Sequence, residues 1–478
     1  ATMDAMIRRL FLSTLLLAAP LAAPAAAAPA GDRVSAVLRA HAPAQSHIGV
    51  SVVSLATGET VFAHEADKLF TPASLQKLVT AAAAVSILGA TRRFATRLMI
   101  EGQVENGTLR GHLYLKGEGD PVLEAADLEA LAASLRAQGI RQITGDLVAD
   151  DSLFAPEGRG AAGWAWDDLA WGYGAPVSAL SVHRNTIDVT VAPGSRPGDL
   201  LHFALTPETG YVQLQNRART AKAGAEPEVE VLGGNAGMAD RWLLKGQLAA
   251  NSPQLTISRS IESPALFAGT VLKEALARKG VKLEGRLYAG KAPASARSVA
   301  IHQSPPLADL VREMNKESDN MIAETLLLHI GVRGQGAPGT WEKGLATTRN
   351  FLERQGLKPG QFRLEDGSGL SRYNALTPAQ LTHLLTRLPA DRLTYPALLI
   401  SLPVAGVDGT LASRLGDEAT RGRIRAKTGT MSGVSGLAGY LTASSGETLA
   451  VAIMINGFIG SAAEARALQD KVIGALAE

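Results

Sequence analysis

The chain has 478 residues, 46% of them hydrophobic and 19% charged, which is enough apolar material to bury large cores in two or three domains and excludes a disordered chain. Its 47 basic and 45 acidic side chains leave a formal charge of +2, so no broad field recommends a nucleic acid or an anionic membrane as partner. Cysteine is absent, which excludes disulfides, thiol nucleophiles and cysteine-ligated metals together; the nine histidines show no metal-ligand spacing, so neither a metal nor another cofactor is expected.

Residues 1–29 read as an export signal. A short leader precedes Met6-Ile-Arg-Arg9, then come apolar Leu10 to Ala19 and small residues through Ala28: a charged head, a short apolar run and an Ala-x-Ala end. The run is too short to span a bilayer, and cleavage near Ala28 would place the mature chain in the periplasm or another extracytoplasmic space. Arg8-Arg-Leu-Phe-Leu12 also resembles a twin-arginine core, but with no cofactor to fold around, ordinary export is the simpler expectation. No later stretch approaches membrane-spanning length.

Ile48 to Ser54, a turn at Ala56-Thr-Gly-Glu59 and Thr60 to Ala63 predict a hairpin leading into Thr71-Pro-Ala-Ser-Leu-Gln-Lys77. Pro72 can open a helix, and the Ala-rich run to Val85 favours one strongly. Ser74 and Lys77, three apart, then share a face, with the amine in reach of the hydroxyl and the positive helix end beside Ser74. That pairing makes a nucleophile and its base. Ser-x-x-Lys also arises by chance about once in a chain this long, so the pair alone equally fits a solvated helix.

Beyond Leu88-Gly89 short strands (Thr96 to Ile100, Gly111 to Leu115) alternate with Gly, Asp and Asn turns. Two helix-glycine-strand units follow, Leu128 to Val148 and Ala265 to Leu287, too loosely alike to count as a repeat. Residues 95–297 are therefore expected to form one inserted α+β module or two nested ones. The Trp-rich run Trp164 to Tyr173 could serve as a ligand platform but better suits aromatic packing at a domain seam, and Ser178 to Asn185 reads as a structural turn. The loop Lys291 to Ser298 marks a return to the first domain, so residues 30–94 and 298–478 are expected to form one α/β (α+β) domain, an antiparallel sheet flanked by helices.

Within that second stretch, Ser318-Asp-Asn320 lies between two helical runs. A hydroxyl and a carboxamide in such a turn can face one cleft, although Ser, Asp and Asn also start helices without further purpose. Near the end, Arg425-Ala-Lys-Thr-Gly-Thr430 precedes an antiparallel pair and a closing helix. Lys427 offers a cation on a strand edge, Thr428 a hydroxyl, and Gly429 a close backbone approach, a set suited to a free carboxylate.

Ser74-x-x-Lys77, Ser318-Asp-Asn320 and Lys427-Thr-Gly429, in that order on an exported α/β chain, resemble the active-site set of penicillin-binding proteins and serine β-lactamases. Ser74 and Ser318 lie 244 positions apart, far more than a β-lactamase uses. The chain is thus similar to the class C low-molecular-mass penicillin-binding proteins, D-alanyl-D-alanine carboxypeptidases with endopeptidase activity. Glu365 to Arg372 with Asn374, and Leu402 to Leu411, share the likeness.

The resemblance implies an acyl-enzyme on Ser74, with Lys77 as its base and Ser318 as the proton relay to the leaving amine. It also implies an oxyanion hole from the backbone amides of Ser74 and Thr430. Asn320 would hold the substrate amide, Lys427 and Thr428 would grip the terminal carboxylate, and Gly429 and Thr430 would complete the substrate-binding edge. Peptidoglycan stem peptides are the implied substrates and β-lactams the implied inhibitors, with oligomeric state left undetermined. A β-lactamase or esterase of the same superfamily, and a non-catalytic wall-binding protein, are the alternatives.

Overall fold

The computed structural model describes residues 29–43, 45–235 and 240–478. Apart from Pro29, the expected export signal lies outside the described residues. Among these residues no helix is long and apolar enough to cross a membrane.

The architecture is the expected mixture of antiparallel sheet and helices. Five antiparallel strands stand in the order Ile424–Met431, Val434–Thr442, Thr448–Asn456, His47–Ser54 and Thr60–His64. The middle strand is buried on both faces, and its period of two divides the core. Leu449, Val451, Ile453 and Ile455 pack with the first helix (Ala30–His41) and the last (Ala462–Ala477), including Val34, Leu468 and Val472. Ala450, Ala452 and Met454 belong to the opposite core, with Leu78, Leu381 and Leu326 from three further helices.

The helix Gln76–Leu88 is buried from Gln76 to Val85, and its Ala81–Ala84 run presents no side chain large enough to hold neighbouring elements away. It begins at Gln76, four residues after the Pro72 that its sequence offers as the opening residue. Ala73–Leu75 form a separate 3-10 turn, and Ala73 has a φ of 46°, a left-handed value that a residue with a β-carbon avoids unless its surroundings impose it.

Residues 95 to 303 build three further sheets around a shared core. The long hairpin Ala95–Glu105 and Thr108–Gly117 carries Arg297–Gln303 antiparallel on one edge. The expected return point at 298 lies inside a strand that pairs with Ala95–Glu105. The two helix-glycine-strand units do lie side by side. Leu287 pairs in parallel with Leu147, and Lys282 with Gln142, beneath the helices Ala125–Ala137 and Pro264–Arg278. Gly145 and Gly285 make this stacking possible: a β-carbon on Gly285 would stand 2.2 Å from the Gly145 carbonyl oxygen.

Candidate active site

Ser74 sits on the 3-10 turn and Lys77 in the first turn of the helix that follows. Lys77 has no exposed surface, and its Nζ donates to Ser74 Oγ at 2.9 Å, Asn320 Oδ1 at 2.6 Å and the Ser368 carbonyl oxygen at 2.8 Å. Three acceptors match the three protons of an ammonium. Burial disfavours that charge and lowers the Lys77 pKa to about 8, partly opposed by the carboxylates of Asp366, Glu324 and Asp319. Near neutral pH the group can therefore lose one proton and turn a lone pair toward Ser74.

Ser318 closes the preceding helix, Leu307–Lys316, at a left-handed φ of 62°, and Asp319 caps the next, Asn320–Gln335, by accepting from Ile322 N at 2.9 Å. The cap expected for this turn is present, and the turn also faces the cleft. Lys427, fully buried on the strand Ile424–Met431, donates to Ser318 Oγ at 2.9 Å and to the Thr428 carbonyl at 2.9 Å. Burial, reinforced by the positive charge of Lys77, holds the Lys427 pKa well below the usual lysine range. Because Ser318 Oγ accepts from Lys427, its own proton is free to point at a third group.

The strand and the Ser74 turn touch at Gly429. A β-carbon there would lie 2.9 Å from the Pro72 carbonyl oxygen and 3.1 Å from Ser74 N, so only glycine allows this approach without a shift. Thr430, the next residue, is exposed beside it, while Thr428 Oγ1 bonds Thr410 Oγ1 at 2.8 Å in the 402–411 segment. Hydrogen bonds and shared backbone thus bring Ser74, Lys77, Ser318, Asn320 and Lys427 into one groove, with Thr428, Gly429 and Thr430 along its edge.

Sequence reasoning missed a second set beneath these groups. Glu324 is fully buried and accepts from Gly367 N, Ser368 N (2.7 Å) and Trp341 Nε1 (2.9 Å). Asp366 accepts from Gly369 N (2.8 Å), Ser371 N (2.6 Å), Asn374 Nδ2 (2.7 Å) and Trp164 Nε1 (2.9 Å). Burial and the neighbouring Asp366 push the Glu324 pKa upward. Together the two carboxylates fix the loop whose Ser368 carbonyl faces Lys77. The signal for Glu324 was present: the one acidic residue of a largely apolar helix, four residues after Asn320 and so on the same face.

Residues between 95 and 297 reach the groove as well. Trp164 packs edge-on against Trp341 (6.3 Å between centroids), the seam packing expected of it, whereas Trp166 is 85% exposed. Asn320 Nδ2 donates to the Tyr173 carbonyl at 2.9 Å, and Arg184 Nε donates to Asp319 Oδ2 at 2.6 Å. Next to Ser318 a cavity of about 440 Å³ opens between Trp171, Tyr173, Ser258 and Glu317. A hollow of similar size lined by Leu69, Lys358 and His383 contains none of these converging groups.

Residues 32–478 match the model of a family described as the D-Ala-D-Ala carboxypeptidase 3 (S13) family. The chain is similar to a D-alanyl-D-alanine carboxypeptidase of Actinomadura sp. (strain R39), 38% identical and covering 97% of this chain and 88% of that one. It is 31% identical to the D-alanyl-D-alanine carboxypeptidase DacB of Haemophilus influenzae, over 87% of this chain and 86% of the relative. The crystal structure of penicillin binding protein 4 (DacB) from Haemophilus influenzae superposes with a TM-score of 0.84 at 28% identity, covering 93% of this chain and 99% of that chain. The same protein complexed with a β-lactam gives 0.78. On a family model that spans nearly the whole described chain, and on relatives this similar over most of their length, the protein belongs to the D-Ala-D-Ala carboxypeptidase 3 (S13) family.

Proposed function

We propose that the protein is an exported serine D-alanyl-D-alanine carboxypeptidase that acts on peptidoglycan stem peptides in the periplasm or another extracytoplasmic space. The observation that carries this reading is the buried Lys77 amine 2.9 Å from Ser74 Oγ, with its pKa lowered to about 8. Ser74 Oγ attacks the carbonyl carbon between the two D-alanines as its proton passes to Lys77. The carbonyl oxygen, now negative, is held by the backbone amides of Ser74 and Thr430. The C–N bond then breaks, and the leaving nitrogen takes a proton from Ser318, which Lys77 replenishes. Asn320 orients the substrate amide, and Lys427 and Thr428 receive the terminal carboxylate, with Gly429 giving the substrate backbone room to approach. Water, deprotonated by the same amine, releases the acyl group. A β-lactam, whose ring amide mimics the dipeptide, acylates Ser74 and leaves slowly.

Endopeptidase cleavage of cross-links is part of the same proposal. There the leaving nitrogen carries a second stem peptide, which needs room beyond Ser318, and the cavity between Tyr173 and Glu317 supplies it. Residues 95–303 are, in this reading, inserted modules that brace the cleft from outside the catalytic domain.

Incubation with purified pentapeptide and cross-linked muropeptides, with the products weighed by mass spectrometry, tests the reading. Loss of one D-alanine, and splitting of the dimer, are expected; intact muropeptides beside rapid destruction of penicillin would identify a β-lactamase. The pH dependence is a further prediction. Lys77 is a base only when neutral, so the acylation rate climbs as pH rises through about 8 and falls below it, a limb read by stopped-flow mixing with a chromogenic β-lactam.

A further inference from the structure

His183, Arg184 and Asn185 have φ values of 47°, 53° and 55°, three consecutive left-handed residues that all carry β-carbons. Such a run is disfavoured, and it persists only where its surroundings leave no alternative. Here they do. The buried Asn185 side chain accepts from Val182 N (3.3 Å) and donates to the Pro176 carbonyl and Ser181 Oγ (both 2.8 Å), and Thr186 Oγ1 donates to the His183 carbonyl (2.8 Å).

The turn so fixed projects Arg184 out of the inserted module. Its guanidinium donates to Asp319 Oδ2 (2.6 Å), Glu124 Oε1 (3.2 Å) and Glu313. His183, between Glu124 (2.8 Å) and Asp188 (3.4 Å), steadies the Glu124 carboxylate in turn. Asp319 lies between Ser318, which accepts from Lys427, and Asn320, which accepts from Lys77. One module residue therefore grips the centre of the turn from which both flanking side chains reach the lysines.

We propose that Arg184 is a positioning residue of the reaction, through which the inserted module holds the Ser318–Asn320 turn in register with Lys77 and Lys427. The proposal rests on the function assigned above. It adds an electrostatic consequence that mere bracing lacks. The charges facing Lys77 are Asp366, Glu324 and Asp319, which support its ammonium form, and Lys427, which shares the groove. Arg184 neutralises Asp319; without it the Asp319 carboxylate acts on Lys77 unopposed and the amine binds its proton more tightly.

The test compares acylation by a chromogenic β-lactam across pH for the wild type, Arg184→Met, Arg184→Lys, Asp319→Asn and the Arg184→Met/Asp319→Asn double variant, with thermal unfolding of each. Arg184→Met is expected to acylate about tenfold to a hundredfold more slowly at neutral pH, the scale of a misplaced reacting group. Its ascending limb should move to higher pH. Arg184→Lys should be intermediate, and the double variant should return the limb toward its wild-type position. Asn can still cap the helix, so Asp319→Asn alone should move the limb downward, an outcome that carries the test should Arg184→Met not fold. Wild-type rate and limb in Arg184→Met, or a limb that does not move in Asp319→Asn, would overturn the proposal. A wild-type protein that is not acylated at Ser74 would instead overturn the reading of the site.

Discussion

Ser74→Ala should abolish D-alanine release, by about 10,000-fold or more, and leave the fold in place. Only one oxygen is removed, and Lys77 keeps two of its three acceptors, Asn320 Oδ1 and the Ser368 carbonyl. The change in stability should therefore be about 1–3 kcal/mol, the cost of leaving one buried donor of Lys77 unpaired. Lys77→Ala is expected to be as inactive, because the hydroxyl then has no base, and it also leaves Asn320 Oδ1 and the Ser368 carbonyl unmet in a buried site. Measuring D-alanine release beside denaturant unfolding separates the two effects. Activity in Ser74→Ala within tenfold of wild type would place the nucleophile elsewhere.

Gly369→Ala should have the largest structural effect of any single methyl added near the groove. Gly369 has a φ of 86°, and a β-carbon there would stand 1.9 Å from the Ala73 carbonyl oxygen, a backbone atom that cannot swing away. The loop carrying Ser368 would have to retreat from the Ser74 turn, taking an acceptor from Lys77 and relaxing the left-handed Ala73. Left-handed strain together with the clash should cost about 2–4 kcal/mol. Acylation should slow by about a hundredfold even where the protein remains folded. Unfolding midpoints and acylation rates check both; a variant as stable and as fast as wild type would show that the loop does not press on the turn.

How much of this was legible in the sequence follows the range of the interactions. The helix Gln76–Leu88 was readable because its cause is local, an Ala-rich run after a proline, and the helix stops at Gly139 and Gly280 because only glycine takes their φ of 89° and 71° easily. Ser74, Lys77, Ser318 and Lys427 were legible as candidates because each belongs to a short motif of particular residue types, and hydrogen bonds bring their side chains into one groove.

Interactions that depend on distant pairing were hidden. Arg184 lies in a stretch that reads as a plain turn, and its partner Asp319 is 135 positions away. Nothing local announces three left-handed residues without glycine. Gly102 looks like a turn signal, yet it sits opposite Gly111 inside a strand pair, where a β-carbon on either would meet the facing backbone. The end of the 95–297 stretch is hard to read for a related reason. The loop before Ser298 carries Pro and Ala, whereas the strand that returns the chain, Arg297–Gln303, belongs by pairing to Ala95–Glu105.

The most direct measurement is to treat the protein with labelled penicillin, digest it and locate the modified peptide by mass spectrometry. A single label on Ser74, lost in Lys77→Ala and acquired faster as pH passes about 8, is the expected result. A label on any other residue, or none on the folded wild-type protein, would contradict an amine-activated hydroxyl at the meeting point of these three segments.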